Sequence, residues 1–477
     1  MSIAERRSAP AVVRDLGALR AQLGEADEAA DLRPLGLGGV LLGAGVLARL
    51  AEVVIELRHT GGDVVVLADE RAMAGADGEV KAGAVAALAD AGLPVRRVTI
   101  GDQDAVTHAD AETIGTAARA IDGAAVLVSV GSGTVADIGK TLSARAAGLP
   151  HVIVQTAASV NGFADDQSVL LVDGVKRTTQ ARWPDVLLID TDVISRAPAE
   201  LNRAGLGDLL ASYTAPADWL LARLVGQDDR YSPAAVALIR AYVDPVLEGA
   251  VGIGEGDPAA LENLAGALTL GGISMGVAGV TAPGSGMEHT VSHLIEMAER
   301  PGEVSALHGA KVGPLSVLGA MLWSRVRAVV RDGGLERLRF PDETTMRARV
   351  LAAFVALDPS GRMGEECWRD YARKLDRWHS AREGLEGVRA GWTAAELELD
   401  GVLAGPERLV DALRAAGAPC RLGQLGIPDT TVRWALANCH LMRDRFTVAD
   451  LAFFLGVWEE EDVDRLLDEA AELGAGL

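Results

Sequence analysis

The segment SGMEHTVSHLIEM, residues 285–297, carries two histidines, His289 and His293, between two glutamates, Glu288 and Glu296. On a helix this spacing places both imidazoles on one face, because four residues make about one turn. Imidazoles arranged in this way can bind a metal ion or relay a proton. Ordinary surface helices show the same spacing, so other parts of the chain must decide between these interpretations.

A third histidine and a carboxylate favour a metal site. His308 lies in the segment SALHGAKVG, so three of the eight histidines of the chain fall within twenty positions. Asp208 lies upstream, in AGLGDLLASYTAPADWLLA, and follows Gly205 and Gly207. One carboxylate and two imidazoles with an open coordination position are typical of a catalytic divalent-metal site. The spacing alone does not say which imidazole binds the metal and which serves a substrate.

A glycine-rich turn follows a predicted strand in LVSVGSGTVADIGK, residues 127–140. Gly131 and Gly133 let the backbone approach a phosphate closely. The helix that follows, predicted to open near Val135, would direct its free N–H groups and its dipole toward an anion. The string is neither GxGxxG nor a P-loop, so a plain strand-to-helix turn remains the alternative.

Asp69 ends the predicted strand DVVVLAD and has two interpretations. A carboxylate at this place in the first βαβ half can bind the adenosine ribose, which would favour NAD over NADP. Alternatively, Asp69 caps the start of a helix in ADERAMAG. Another glycine-rich segment, GLGGVLLGAG at residues 36–45, has the wrong spacing for phosphate binding, and we predict that it forms structural turns.

The elements that must position these residues change character near residue 195. Before it, short apolar runs alternate with helical patterns, which predicts βαβ units and a parallel sheet. After residue 196, apolar residues recur at helical spacing and strand-like runs disappear. The strand 168–172 could instead open a hairpin. The predicted strands are 63–69, 94–100, 124–130, 151–156, 168–172 and 185–190, and the predicted N-terminal helices are 79–92 and 110–121.

We therefore predict two domains. Residues 1–195 would form an α/β dinucleotide-binding domain with a Rossmann-like, mostly parallel sheet, and residues 196–477 an all-helical domain that binds metal and substrate. The site is expected in the cleft between them, where ligand pockets are common. The charged, tryptophan-containing region 331–400 has no assigned role at this point.

The composition excludes several classes of function. The 477 residues are 49% hydrophobic and 23% charged, so a large core can form. The net charge of −22 argues against nucleic-acid and anionic-membrane partners, and a small-molecule substrate is expected. The three cysteines are too sparse for a disulfide framework. We predict no signal peptide and no membrane span, hence a cytoplasmic protein, and a homodimer on base rates.

Six motifs follow one another in an order that resembles a known family. The chain is similar to the glycerol-1-phosphate dehydrogenases, within the iron-containing alcohol dehydrogenase and dehydroquinate-synthase-like superfamily. The motifs are GSGTVADIGK, QTAASVNGFADD, GVKRTTQARWPDVLLID, RAGLGDLLASYTAPADW, SGMEHTVSHLIEM and LHGAKVG. The tail, which includes MRDRFTVADLAFFLG, also resembles the helical end of the bacterial members. The resemblance implies a dehydroquinate-synthase-like fold.

The resemblance also implies roles at matching positions. Asp208, His289 and His308 would bind a divalent metal ion, either zinc, nickel or iron, and His293 would face the substrate. NAD(H) or NADP(H) would be the second cofactor. The residues implied to contact this dinucleotide are Gly131, Ser132, Gly133, Thr134, Val135, Thr156 and Ser159.

Two positions depart from the family pattern. Asn161 stands where the family usually has an aspartate that contacts substrate, and Asp165 where it often has a serine that contacts the cofactor. An amide carries no charge and can donate as well as accept hydrogen bonds, so it changes which substrate group is tolerated. The family resemblance therefore predicts the class of reaction better than it predicts the substrate. Lys176, Arg177 and Arg182 are candidates for binding a substrate phosphate, with a solvated basic hairpin as the alternative.

The reaction implied by the resemblance is the interconversion of a small carbonyl compound and its alcohol. The substrate would be glycerone phosphate or a similar phosphorylated or phosphonylated compound. The metal would act as a Lewis acid at the substrate oxygen, and His293 would help to move the proton. Three alternatives stay open: a dehydrogenase for another alcohol or aldehyde, a dehydroquinate-synthase-like lyase or cyclase, and a non-catalytic binding protein.

Overall fold

A computed structural model describes residues 8–27, 31–59, 61–75, 78–101, 107–172, 175–299 and 306–477. The strands are β1 (Gly39–Gly43), β2 (Asp63–Asp69), β3 (Ala74–Gly75), β4 (Gly78–Glu79), β5 (Val95–Ile100), β6 (Ala124–Gly131), β7 (His151–Gln155), β8 (Gln167–Val172), β9 (Val175–Gln180) and β10 (Val186–Asp190). Six of them form one parallel sheet in the order β1-β10-β7-β6-β2-β5, whereas β8 and β9 form an antiparallel hairpin and β3 pairs with β4.

Helices flank the sheet and dominate the described chain after it. Those up to the end of the sheet are α1 (Ala9–Val13), α2 (Leu16–Ala26), α3 (Leu50–Leu57), α4 (Val80–Asp90), α5 (Ala111–Ala120), α6 (Gly133–Arg145) and α7 (Thr191–Ile194). Those that follow are α8 (Ala199–Leu210), α9 (Ala215–Leu224), α10 (Pro233–Glu248), α11 (Ala250–Glu255), α12 (Pro258–Ala278), α13 (Met287–Ala298), α14 (His308–Arg331), α15 (Glu343–Phe354), α16 (Arg362–Ser380), α17 (Leu385–Val402), α18 (Pro406–Ala415), α19 (Asp429–Asn438), α20 (Val448–Leu455) and α21 (Glu460–Glu472).

The central sheet is buried on both faces, which explains its continuous apolar strands. Val64 and Val66 of β2 pack with α3 and α4 on one face. Val65 and Leu67 pack with α5 and α6 on the other. Side chains alternate along a strand, so one apolar run serves two cores. The predicted α/β domain with a mostly parallel sheet is confirmed.

Three segments differ from the prediction or complete it. Residues 36–45, predicted to form turns, contain the edge strand β1, which pairs in parallel with β10. The strand at 167–172 opens the hairpin that was left as an alternative. The region 331–400 is largely helical and holds α15, α16 and α17. None of the helices in the described ranges combines the length and apolar composition needed to cross a membrane. The division into domains at residue 195 stays a prediction.

Helices α8 and α14 cross in direct contact and carry the site between them. A Cβ on Gly207 would lie 2.1 Å from the carbonyl oxygen of Gly309. A Cβ on Gly205 would lie 1.8 Å from the carbonyl oxygen of Ala158, in the loop after β7. Glycine therefore lets α8 touch α14 on one side and the end of the sheet on the other. This close approach explains the two glycines that precede Asp208.

Replacing Gly207 by alanine tests this crossing. The added methyl group meets backbone atoms, so we expect overpacking to lower the free energy of unfolding by about 1–3 kcal/mol. Urea unfolding followed by tryptophan fluorescence measures the change. The control Gly83→Ala lies in helix α4 with no atom within 4 Å of the new Cβ. It should be neutral or stabilising by up to about 1 kcal/mol. An unchanged unfolding midpoint in Gly207→Ala would contradict the tight crossing.

Candidate functional site

Asp208, His289 and His308 meet where three helices converge. Asp208 comes from α8, His289 is the third residue of α13, and His308 is the first residue of α14. Oδ1 of Asp208 lies 3.4 Å from Nε2 of His289 and 3.9 Å from Nε2 of His308. One ligand atom from each residue lies within 4.8 Å of the others, a spacing that suits a shared divalent ion. The structure thus brings together the three predicted ligands.

The second oxygen of Asp208 connects this cluster to the sheet. Oδ2 accepts a hydrogen bond of 2.9 Å from the backbone N–H of Asn161, in the loop after β7. Asp208 is only 1% exposed, so its charge depends on such partners. The side-chain amide of Asn161 lies against Gly284, where a Cβ would come within 3.0 Å of its Nδ2. Asn161 is therefore placed beside the cluster, where the sequence predicts a substrate contact.

Carboxylates orient two of the three imidazoles. Oε1 of Glu288 lies 3.0 Å from Nδ1 of His289. Oε1 of Glu296 lies 2.9 Å from Nδ1 of His308. A carboxylate accepts hydrogen bonds, so each Nδ1 carries a hydrogen and each Nε2 is the nitrogen presented to a metal. Burial acts to lower the pKa of His289, but Asp208 and Glu288 outweigh it and raise that pKa to about 9. Metal binding would displace a proton from Nε2.

An arginine contacts the third imidazole instead. Nη2 of Arg443 lies 2.7 Å from Nδ1 of His293. A guanidinium can only donate, so Nδ1 accepts and Nε2 carries the hydrogen. Burial and the charge of Arg443 hold the pKa of His293 well below its usual range, which keeps the ring neutral. This pattern makes His293 a hydrogen-bond donor. It argues against the other possible ligand group, His293 with Glu296 and His308.

Glu296 is kept ionised by the cations around it. Nζ of Lys311 lies 3.1 Å from Oε1 of Glu296, and Nζ of Lys176 lies 3.6 Å from Oε2. Burial acts to raise the pKa of Glu296, but Lys311, Lys176 and His308 outweigh it and hold that pKa well below the usual range. An ionised acceptor strengthens the hydrogen bond from Nδ1 of His308.

A buried carboxylate fixes the start of α13 relative to its neighbours. Oδ2 of Asp218 accepts from the N–H of Met287 at 2.8 Å. Oδ1 accepts from Nε1 of Trp323 in α14 and from the N–H of Val448 in α20, both at 3.0 Å. Burial and the neighbouring Glu288 raise the pKa of Asp218 well above its usual value. Asp218 therefore sets the position of the helix that carries His289.

The glycine-rich turn lies at the carboxyl edge of the sheet. Gly131 is in register with Gln155 across β6 and β7, and its carbonyl oxygen accepts from the N–H of Thr156 at 3.2 Å. Helix α6 begins at Gly133, with Ser132 as an N-cap whose hydroxyl makes no capping hydrogen bond. The N–H groups at the start of this helix suit a phosphate. The loop from Thr156 to Asn161 joins this turn to the metal cluster.

An unpartnered hydroxyl in this loop supports nucleotide binding. Thr156 is 2% exposed, and its Oγ1 makes no hydrogen bond in the part of the chain that the structure describes. Ser159 in the same loop is also buried. A buried hydroxyl without a partner is unfavourable, and an oxygen of a bound nucleotide would satisfy it. The residues present therefore fit a dinucleotide.

Two predicted cofactor contacts have lysine partners. Asp165 accepts from Nζ of Lys140 at 2.5 Å. Burial raises the pKa of Asp165 to about 6, although Lys140 acts to lower it. Asp69 forms an ion pair with the buried Lys81 and accepts from the N–H of Arg71. Residues 70–75, all described, form no helix, so the N-cap alternative for Asp69 is wrong. Contact of either carboxylate with the cofactor stays a prediction.

Two of the three basic candidates for a substrate phosphate are neutralised. Arg177 forms two ion pairs of 2.7 Å with carboxylates of α16. Arg182 pairs with Asp185 at 2.7 Å. Lys176 extends toward the metal cluster, where it faces Glu296. The hairpin is therefore not a solvated basic surface, because α16, from the region without an assigned role, covers part of its charge.

Two cations near the cluster were not predicted from the sequence. Lys311 had a recognisable signal, since it lies three residues after His308 on the same face of α14. Arg443 had none, because it reaches His293 from 150 residues further along the chain.

Metal affinity distinguishes the two kinds of histidine. Glu296→Gln removes the charged acceptor at Nδ1 of His308, so we expect the affinity for a divalent metal to fall about 10–100-fold. Competition with a chromophoric chelator measures it. His293→Ala should keep the wild-type affinity, because its ring is held by Arg443. Loss of metal in His293→Ala with unchanged binding in Glu296→Gln would reassign the ligands.

The unpartnered hydroxyl gives a separate test of the nucleotide site. Thr156→Val keeps the shape of the side chain and removes a group that lacks a partner, so the free protein should be as stable as wild type or more stable. Affinity for NADH should fall by about fivefold to tenfold if the hydroxyl bonds the nucleotide. Thermal unfolding and titration of NADH fluorescence measure the two effects. Unchanged NADH affinity would remove Thr156 from the site.

Comparisons with known proteins agree with the fold and identify the family. The model of the family described as iron-containing alcohol dehydrogenase matches residues 41–198. A glycerol-1-phosphate dehydrogenase (NAD(P)+) of Methanothrix thermoacetophila is 31% identical over 323 residues, which cover 66% of this chain and 87% of that protein. The protein of the same name from Bacillus subtilis is 29% identical over 327 residues, 68% of each chain.

The solved structures share the architecture. A probable glycerol dehydrogenase from Sinorhizobium meliloti 1021 is similar with a TM-score of 0.58 at 18% identity, covering 92% of this chain and 99% of its own. At this identity the likeness shows the fold alone. The sequence relatives establish that the chain belongs to the iron-containing alcohol dehydrogenase family, in the branch of the glycerol-1-phosphate dehydrogenases.

Proposed function

We propose that this protein is a metal- and NAD(P)H-dependent oxidoreductase that interconverts a small phosphorylated or phosphonylated carbonyl compound and its alcohol. Glycerone phosphate and sn-glycerol 1-phosphate are the first pair to test, because the relatives carry the name glycerol-1-phosphate dehydrogenase. The observation that carries the proposal is the division of the three imidazoles. Two Nε2 atoms converge with Asp208, and the third imidazole is held as a donor.

Two cofactors would supply the chemistry. Asp208, His289 and His308 would hold a divalent ion, which would supply Lewis acidity for negative charge on a substrate oxygen. The oxygen and nitrogen donors fit zinc, nickel or iron and do not select among them. NAD(H) or NADP(H), held by the Gly131–Val135 turn and by Thr156, supplies the hydride.

His293 would hold a hydrogen at Nε2 for the substrate. Its ring centroid lies 6.4 Å from that of His289 and 5.3 Å from that of His308, so the three rings share one small space. Full release of the Nε2 proton would leave an imidazolate, because Nδ1 is already an acceptor from Arg443. We therefore expect His293 to donate a hydrogen bond to the substrate and not to transfer its proton.

Asn161 gives this site an uncharged polar side chain where the family usually has an aspartate. Its backbone N–H is used by Asp208 at 2.9 Å, which leaves the side-chain amide for a ligand. An amide can donate as well as accept hydrogen bonds, so the substrate group that contacts Asn161 can differ from the group that an aspartate would contact.

The remaining expectations belong to the same proposal. The net charge of −22 fits a small-molecule partner better than nucleic acid or an anionic membrane. The homodimer and the cytoplasmic location expected from the sequence stay predictions.

NADH oxidation tests the proposed function. Protein stripped of metal and reloaded separately with Zn²⁺, Ni²⁺ or Fe²⁺ should oxidise NADH with glycerone phosphate as substrate. His289→Ala should lose this turnover, because it removes a metal ligand.

Other outcomes of this assay point elsewhere. Consumption of substrate without net change in NADH would indicate a lyase or cyclase. Bound NADH without turnover on any metal would exclude glycerone phosphate and call for other aldehydes and ketones. Failure to bind both metal and NADH would support a non-catalytic protein.

A further inference from the structure

Arg443 lies beside the third imidazole and forms no ion pair within the described residues. It belongs to the turn between α19 and α20, and its Nη2 donates to Nδ1 of His293 at 2.7 Å and to the carbonyl oxygen of Lys176 at 2.9 Å. Its Nε and Nη1 make no hydrogen bond within the described residues, and no carboxylate there pairs with it. Three N–H hydrogens of the guanidinium are therefore free.

The carboxylates of Asp370 and Glu296 act on this charge without forming an ion pair with it, and each of them is paired with other cations. Lys311 is matched by Glu296 and Glu299, at 3.1 and 3.4 Å. Lys176 also faces Glu296, at 3.6 Å. Burial and the neighbouring Arg445 lower the pKa of Arg443 to about 10, so the guanidinium is destabilised but still charged at neutral pH. Arg443 is therefore a cation next to the candidate metal site with which no carboxylate of the described residues forms an ion pair.

The backbone at Arg443 is also unusual. Its φ is +65°, and among the described residues only Ala147 is another non-glycine residue with positive φ. This region is unfavourable for a residue with a Cβ, and glycine would relieve the strain. Strained residues of this kind are concentrated at sites where a side chain has a function.

We propose that Arg443 binds the phosphate or phosphonate group of the substrate through its free N–H groups, while Nη2 holds His293. Charge-assisted hydrogen bonds from a guanidinium suit such an anion. Nη2 lies 2.7 Å from the imidazole that faces the substrate, so the anion would be bound next to the reacting end of the molecule. This inference rests on the proposed function and specifies what its site recognises.

A pair of substrates that differ in charge tests this role. Glycerone phosphate and its neutral analogue dihydroxyacetone are compared with NADH and the activating metal. In Arg443→Met, the preference for the phosphorylated compound, expressed as the ratio of the two kcat/KM values, should fall about tenfold or more. A decrease in kcat/KM that is common to both substrates reflects the loss of the hydrogen bond to His293. Only the ratio of the two kcat/KM values therefore measures the contact with the anion.

Two further variants serve as controls. Arg443→Lys keeps the charge and should recover part of the preference. Arg369→Met removes one positive charge from an exposed arginine of α16, which pairs with Glu366 on the same helix, and should keep the wild-type ratio. Calorimetric titration with sn-glycerol 1-phosphate gives a readout that does not need turnover. Its affinity should fall about tenfold or more in Arg443→Met and stay unchanged in Arg369→Met.

The outcomes separate this inference from the proposed function. Turnover with the wild-type ratio and wild-type affinity in Arg443→Met would overturn the role of Arg443 and leave the function intact. Binding of sn-glycerol 1-phosphate that depends on Arg443, without turnover of either ketone, would support the anion site and count against the oxidoreductase. If Arg443→Met fails to fold, Arg443→Gln replaces it, because it also removes the charge. A lower ratio and a lower affinity in Arg443→Gln, with partial recovery of both in Arg443→Lys, would support the charge contact. Wild-type values in Arg443→Gln would overturn it.

Discussion

The charge of Asp208 must be compensated in a place that water hardly reaches, and the surrounding structure meets this constraint. One oxygen accepts from the backbone of Asn161, and the other faces the Nε2 atoms of His289 and His308. Each of these neighbours of Asp208 comes from a different element, so the elements have to meet at one point. The glycines of α8 let this helix contact both α14, which carries His308, and the loop after β7, which carries Asn161. The carboxylate of Asp218 fixes the start of α13, which carries His289. The donor set is thus a product of helix packing.

Much of this arrangement could be predicted because its causes are local. The apolar run of β2 and the glycine turn after β6 show their structure within a few residues. The spacing of His289 and His293 places both imidazoles on one face as soon as the segment forms a helix. The order of the motifs along the chain then identified the family and, with it, the three ligands. For residues whose role depends on neighbours in sequence, the sequence was sufficient.

The rest depends on partners that are distant in sequence. Strand β1 is short and rich in glycine, and becomes a strand only by pairing with β10. The protonation pattern of His293 could not be predicted from the sequence, because it depends on Arg443, and not a carboxylate, lying at Nδ1. Asp165 looks like a free polar residue in the sequence, yet it is paired with Lys140 in the fold. Such pairings arise from tertiary packing, which no local pattern encodes.

The hydrogen bond between Asn161 and Asp208 has a consequence for ligand binding. It joins the metal ligand to the same loop that carries Thr156, on the nucleotide side. Any shift of this loop when a nucleotide binds also changes the field and position of a metal-binding oxygen. The two binding equilibria are then linked, and linkage is reciprocal: the factor by which the metal alters nucleotide affinity equals the factor by which the nucleotide alters metal affinity. Through this one backbone N–H, the affinity for the nucleotide and the affinity for the metal depend on each other.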